Sequence, residues 1–194
     1  MHVTSSSLIA AFLGATLSSA VPLEARQDAL LPFEVTQIGS SNPPVRPGAH
    51  PWRFITATFT DPNPYPFFVG EHDGSVPGGL QGINCEAKWY RDESPEGRTW
   101  PCDPVSQGHF AIQILPGANG PADVKDFKLK LIHGVEPGTS FSKVLDRVEA
   151  EVGPFTYPDT LGGSDPMRGP CLKSGWCSYV VREVPLLAPA NKTV

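Results

Sequence analysis

The sequence predicts a mainly β protein: a compact antiparallel β-barrel or sandwich with two disulfides and little helix. Its 194 residues include 22 prolines and 19 glycines, a content that favours turns and strand edges over long helices. Several segments alternate apolar and polar residues, which is the period of a strand with one buried face. The four cysteines, an even number, predict a disulfide framework.

The N-terminal segment predicts export. An uncharged apolar run at 8–17 leads into small residues that end at Ala20, and the run is too short to span a bilayer. We therefore expect a signal peptide at 1–20 and a secreted, extracellular protein. Arg26 is a candidate for a second processing site, so 21–32 is predicted to be a pro-segment or a mobile arm.

The remainder predicts a single domain at 33–187, followed by a mobile tail at 188–194. Within that tail, Asn191 begins an N-glycosylation sequon. The net charge is -5 and no run of Lys or Arg occurs, so neither nucleic acid nor an anionic membrane is an expected partner.

The strongest strand signals lie in the middle of the chain. Apolar side chains recur at every second position in three segments, 83–90, 110–114 and 127–131. Breakers rich in Gly and Pro separate these segments, which predicts an antiparallel meander.

The first of these segments also predicts which side chains face the core. The alternation assigns four residues to the buried face: Ile83, Cys85, Ala87 and Trp89. Tyr90 lies on the opposite face and is the candidate for an exposed contact residue.

Prolines divide the rest of the chain. The segment 40–51 predicts an extended surface loop, because proline supplies no amide hydrogen and restricts the residue before it. A strand is predicted at 52–60, ended by the proline-rich run that starts at Asp61, and another at 179–187. The segment 141–152 fits one helical face, and its second half also fits a strand, so periodicity leaves both structures open.

The cysteines pair most simply as sequence neighbours. Four cysteines allow three connectivities, and we expect Cys85–Cys102 and Cys171–Cys177 because each pair brackets a turn-rich segment. Zinc is a poor alternative, since no Cys-x-x-Cys spacing exists and His109 and His133 lack a second ligand at metal spacing. The sequence therefore predicts no metal site.

Motifs for catalysis and for cofactor binding are missing from the sequence. It contains no nucleophile elbow, no metalloprotease helix and no phosphate-binding glycine loop, so no catalytic residue and no cofactor is predicted. The segment 71–74, Glu-His-Asp-Gly, is typical of a polar turn. A small hydrolase of the ribonuclease or glycosidase type remains an alternative, because Glu86, Asp92 and Glu93 could serve it without any motif.

The order of several short motifs resembles a known family. Along the chain these are Pro-Leu-Glu-Ala-Arg-Gln27, Ile-Asn-Cys85-Glu-Ala87, Trp100-Pro-Cys102, Phe110-Ala-Ile-Gln-Ile114, Phe127-Lys-Leu-Lys-Leu-Ile-His133 and Trp176-Cys177. From residue 33 to residue 185 the arrangement resembles the Alternaria major allergen family of secreted fungal proteins (Alt a 1-like).

The resemblance implies an antiparallel barrel with two internal disulfides, no established enzymatic centre, and a strand at 147–152. It also implies an allergen-like effector or elicitor that binds a host (plant) protein or a small apolar ligand. The founding members carry an extra cysteine that links two subunits, but this chain has none between Val21 and Asn84. A covalent dimer is therefore not supported. A carbohydrate-binding or cell-wall protein is a further alternative.

Overall fold

A computed structural model describes residues 29–44, 46–69, 72–137, 146–157, 167–169, 172–173, 176–181 and 184–193. The expected signal peptide and the Arg26 processing site lie outside these residues. Every regular element in the described ranges is a β-strand. The predicted fold class, mainly β with little helix, is therefore confirmed.

The strands follow one another along the chain with short connections. They are β1 (Phe33–Asn42), β2 (Trp52–Asp61), β3 (Tyr65–Val69), β4 (His72–Val76), β5 (Leu80–Tyr90), β6 (Thr99–Pro101), β7 (Gly108–Pro116), β8 (Asp126–Val135), β9 (Asp146–Thr156), β10 (Met167–Arg168), β11 (Cys177–Val181), β12 (Leu186–Ala188) and β13 (Ala190–Thr193).

Two antiparallel sheets pack face to face as a sandwich. The first sheet has the order β10-β11-β1-β2-β5, with β12 also paired to β1, and the second has the order β13-β9-β8-β7-β6. Of the three segments predicted to form one meander, 110–114 and 127–131 are neighbours as β7 and β8, but 83–90 belongs to β5, which pairs with β2 in the first sheet. The meander in the second sheet instead runs from β6 to β9. Strands β3 and β4 form a separate two-stranded hairpin between β2 and β5.

The core lies between the two sheets. Phe33, Ile55 and Phe59 from the first sheet meet Phe110 and Leu129 from the second, and all five are almost completely buried. Each such side chain stabilises the fold by roughly 1.5–3 kcal/mol relative to an exposed position. The predicted strands at 110–114 and 127–131 thus place their apolar residues as expected.

A disulfide joins the two sheets at one edge. Cys85 lies in β5 and bonds to Cys102, which follows β6. Cys177 is also disulfide-bonded, whereas its predicted partner Cys171 lies outside the described residues. Disulfide bonds are typical of an oxidising environment. No helix in the described ranges has the length and apolar character needed to cross a membrane.

The alternation predicted for 83–90 is interrupted by a β-bulge. Ala57 of β2 pairs with Cys85, but Phe59 pairs with Gly82, so β5 carries one extra residue at this point. Ile83 is consequently 41% exposed, and its assignment to the core was wrong. The other three residues of the predicted face, Cys85, Ala87 and Trp89, are buried as expected.

Other differences from the sequence-based expectations have local causes. The surface loop predicted from residue 40 begins only after β1, because Ser40 is buried and its hydroxyl donates to the Val124 carbonyl oxygen at 2.7 Å. The polar turn predicted from residue 71 is strand from His72 onward, because β4 pairs with β3.

The C-terminal segments also differ in detail. Residues 146–156 form strand β9 rather than helix, which agrees with the resemblance, and 141–145 lie outside the described residues. The predicted closing strand is divided into β11 and β12, both paired to β1. Instead of leaving the domain as a tail, Ala190–Thr193 pairs with β9 as the edge strand of the second sheet.

We expect Asn84→Val to destabilise the protein by about 1–2 kcal/mol, because Asn84 has φ = +52° and a β-branched residue is strained in this region. Asn84→Gly should cost less, since glycine adopts the same backbone conformation without strain and removes only the exposed hydrogen bond from Asn84 Nδ2 to Asp103 Oδ2 at 2.6 Å, which Asn84→Val removes as well. Urea unfolding measures both values. Asn119→Val, at an exposed turn position, is the control, and an equal loss in that variant would contradict the explanation.

Candidate functional site

A buried carboxylate, that of Asp61, collects four hydrogen bonds at the end of β2. Its Oδ1 accepts from the backbone N–H and the side-chain Nδ2 of Asn63, at 2.9 and 2.8 Å. Its Oδ2 accepts from the Tyr65 hydroxyl and from His133 Nδ1, both at 2.7 Å. A carboxylate has about four lone-pair positions, so Asp61 is fully satisfied although it is completely buried.

The partners of Asp61 come from different parts of the fold. His133 lies on β8 of the second sheet, whereas Asp61 ends β2 of the first, so their hydrogen bond crosses the sandwich. Asn63 in turn forms two hydrogen bonds with the backbone before β1. Its Oδ1 accepts from the Leu31 N–H at 2.7 Å, and its Nδ2 donates to the Leu31 carbonyl at 2.9 Å. The Asp61 carboxylate therefore connects both sheets with the hairpin strand β3 and, through Asn63, with the residues before β1 (29–32), here called the N-terminal arm.

The His133 ring is enclosed by aromatic side chains. It stacks on Phe110 at a centroid distance of 4.1 Å, and Tyr65 meets it edge to face at 5.8 Å. Because a carboxylate only accepts hydrogen bonds, we assign a proton to Nδ1. The other ring nitrogen, Nε2, is buried and has no hydrogen-bond partner among the described residues. An Asp–His pair orients a base in many hydrolases, but no nucleophile in the described part of the chain forms a hydrogen bond with this nitrogen.

A cavity of about 890 Å³ lies beside this network. Its walls come from the N-terminal arm, the segment that links β2 to β3, and strand β13; the lining residues are Ala29, Leu30, Leu31, Asn63, Pro64, Tyr65, Pro66, Ala190, Asn191 and Lys192. Most of these side chains are apolar. Asn63 and Tyr65 line the cavity and also bind Asp61, so the network fixes one wall.

Among the described residues that line this cavity, the one cation is Lys192. Lys192 Nζ lies 5.6 Å from the centroid of the Tyr65 ring and 2.9 Å from Asp146 Oδ2. Burial raises the pKa of the Tyr65 hydroxyl, and the hydrogen bond and negative charge of Asp61 and the charge of Asp146 raise it further. Tyr65 therefore stays a neutral donor to Asp61.

A smaller cavity of about 380 Å³ contains two carboxylates, Glu149 and Glu151, together with Lys130. Partial burial alone would raise the pKa of Glu149, but hydrogen bonds from Lys130 and Arg147 outweigh it and lower the pKa. The closest contacts are 3.2 Å from Lys130 Nζ and 2.7 Å from Arg147 Nε. Glu149 is thus a fixed anion and a poor proton donor.

The residues singled out in the sequence do not converge on either cavity, with one exception. Tyr90 is 40% exposed, as expected, and meets Trp52 edge to face at 5.8 Å; its role as a contact stays a prediction. Glu93 pairs with Arg98 on the surface. Asn191, the sequon residue, is the exception, because it is exposed and lines both cavities. No group of three His, Cys, Asp or Glu among the described residues could hold a metal ion.

Sequence reasoning missed the network around Asp61. His133 continues the buried alternation of Leu129 and Leu131, and a titratable residue on an apolar face requires a partner. The partner was hidden in the run Asp61-Pro-Asn-Pro-Tyr-Pro, read only as a strand breaker. In this run the polar side chains of Asp61, Asn63 and Tyr65 recur at every second position, and the Asp61–Asn63 contact is an Asx-turn.

We expect Tyr65→Phe to lower the free energy of unfolding by about 2 kcal/mol, because it removes a hydrogen bond to a buried charge. Tyr157→Phe is the matched control. The Tyr157 hydroxyl donates to a neutral acceptor, the Gly169 carbonyl, at 3.1 Å, so its loss should cost about 1 kcal/mol. Denaturant unfolding of both variants at pH 7 measures the difference, and equal losses would contradict a charged Asp61.

The pKa of Tyr65 also predicts a dependence on pH. The pKa of the folded protein's Tyr65 hydroxyl is raised above the unfolded value near 10. The stabilisation from its hydrogen bond to Asp61 is therefore complete below about pH 10 and is lost as the pH rises above that value. Relative to Tyr65→Phe, the wild type should lose about 1.4 kcal/mol for each pH unit above about 10. Unfolding of both proteins between pH 8 and about pH 11 measures this, and a constant difference would refute it.

Comparisons with protein-family models, with curated proteins and with solved structures found no match for this chain. The resemblance to the Alternaria major allergen family therefore stays a prediction from motif order.

Proposed function

We propose that this chain is a secreted, non-enzymatic binding protein similar to the Alternaria major allergen. It acts outside the cell as an allergen-like effector or elicitor, by holding a small apolar ligand or by contacting a host protein. The observation that carries the proposal is the cavity of about 890 Å³ with its largely apolar wall. Its volume falls in the range of roughly 300–1,000 Å³ that is usual for small-molecule sites.

The wall of this cavity is suited to binding because it is held in place before a ligand arrives. Asn63 fixes the Leu31 backbone through two hydrogen bonds, and Tyr65 is fixed by Asp61. A preorganised wall loses little conformational entropy on binding. The disulfide between Cys85 and Cys102 adds to the rigidity of the sandwich and fits a protein that works in an oxidising environment.

A hydrolase is less well supported. Glu149 and Glu151 do share a cavity, as a glycosidase would require, but the lowered pKa of Glu149 is the opposite of what a general acid needs. The Asp61–His133 pair is completely buried, and its free nitrogen has no hydrogen-bond partner among the described residues. The buried pair is thus out of reach of substrate, and the carboxylates of the smaller cavity lack a general acid in Glu149.

A carbohydrate-binding role would favour coplanar exposed rings. The exposed pair Trp52 and Tyr90 has an interplanar angle of 90°, so the two rings cannot stack on one sugar surface together. Lys88 Nζ also lies 5.6 Å from the Trp52 ring. We therefore prefer the apolar cavity as the binding site.

Binding of the uncharged fluorescent probe Nile red tests the cavity. We expect the wild type to enhance its fluorescence at micromolar probe, and Ala29→Trp to reduce that binding at least tenfold, because the added indole fills the cavity from its exposed wall. Ala118→Trp, on an exposed loop that does not line the cavity, is the matched control. No enhancement by the wild type, or an equal loss in both variants, would reject the proposed site.

Infiltration of the purified protein into plant leaf, with cell death as the readout, tests the extracellular role. The folded, oxidised protein should elicit a response, whereas the reduced and alkylated chain should not. An equal response from the reduced chain would mean that a short peptide acts and that the fold is not required.

A further inference from the structure

We propose that the large cavity binds amphiphilic monocarboxylates, molecules with an apolar chain and one carboxylate, and that Lys192 receives the carboxylate. This inference rests on the proposed binding function and names the class of ligand. It follows from which polar groups of the cavity are already used and which remain.

Of the four described polar side chains that line the cavity, those of Asn63 and Tyr65 are occupied, and those of Asn191 and Lys192, neighbours on β13, remain. The Asn63 amide is fully engaged with Asp61 and with the Leu31 backbone. The Tyr65 hydroxyl donates to Asp61, so this residue presents its ring and not its donor. A ligand therefore meets a surface that is apolar over most of its area, which selects a hydrocarbon body over a sugar or a nucleotide.

Lys192 is the one charged residue among the described residues that line the cavity. Its ammonium group has three donors, and Asp146 takes one of them at 2.9 Å. The contact with Asp146 and the position over the Tyr65 ring hold Nζ at the cavity wall. An ammonium next to an apolar surface binds a carboxylate by a charge-assisted hydrogen bond, which is stronger than a neutral one.

The surrounding charges limit the ligand to one negative charge. Asp146 already offsets the charge of Lys192, and Glu151 follows on the same strand, β9, where Glu149 is offset by Lys130 and Arg147. The net charge of the chain is also negative. A phosphate or a dicarboxylate would add repulsion that a single lysine cannot offset.

Calorimetric titration with decanoate and with 1-decanol, both below their aggregation concentrations, tests the proposal at pH 7.5. The two probes share their chain and differ in charge. We expect the wild type to bind decanoate at least tenfold more tightly than decanol. Lys192→Met should remove this preference and leave decanol binding unchanged, and Lys192→Arg should keep it. Lys130→Met, which removes the cation of the smaller cavity, is the matched control and should keep it as well.

A second variant gives an effect of opposite sign. Asp146→Asn removes the competing anion from Lys192, so decanoate should bind severalfold more tightly while decanol is unaffected. If the wild type binds decanol as tightly as decanoate, or if Lys192→Met keeps the preference, the inference fails while the proposed binding function stands. If neither probe binds, the proposed function fails at this cavity together with the inference.

Discussion

The structure depends on one buried charge, the carboxylate of Asp61. Transfer of an unpartnered carboxylate from water to a protein interior is very costly, so a completely buried one requires hydrogen bonds from several directions. Asp61 obtains them from Asn63, Tyr65 and His133, which lie on three different segments of the chain. Asn63 and Tyr65 follow Asp61 closely in the sequence, whereas His133 lies 72 positions away on the other sheet. The carboxylate therefore fixes the position of β8 relative to the segment that follows β2.

This requirement explains why a cavity forms where it does. The run of prolines after Asp61 cannot continue strand pairing, so the chain leaves the sheet at this point. Asn63 and Tyr65 are turned inward by their bonds to Asp61, and Asn63 draws the N-terminal arm over the gap through Leu31. The space between this arm and β13 is the large cavity. The cavity that we propose as a ligand site is thus a consequence of satisfying a buried charge.

The sequence predicted what depends on short-range patterns and missed what depends on contacts across the sandwich. Strict alternation located the strands that contain Phe110 and Leu129, and proximity of two cysteines located the Cys85–Cys102 bridge. The Asp61–His133 bond joins residues that are 72 positions apart, which no local pattern reveals. The exposure of Ile83 was missed for a related reason, because one extra residue in a bulge reverses the face of every residue on one side of it.

The buried network, the bulge and the disulfide all lie next to Phe110. The Phe110 ring stacks on His133, and its carbonyl accepts a hydrogen bond from the N–H of Cys102, a residue of the disulfide. A Cβ on Gly82 would lie only 2.9 Å from the Phe110 Cβ, so the ring position requires glycine beside the bulge. Phe110 therefore contacts the disulfide residue Cys102, the network residue His133 and the glycine beside the bulge. Contacts from β5, β7 and β8 thus meet at Phe110, and His133 links them to Tyr65 in the wall of the cavity that we propose for ligand binding.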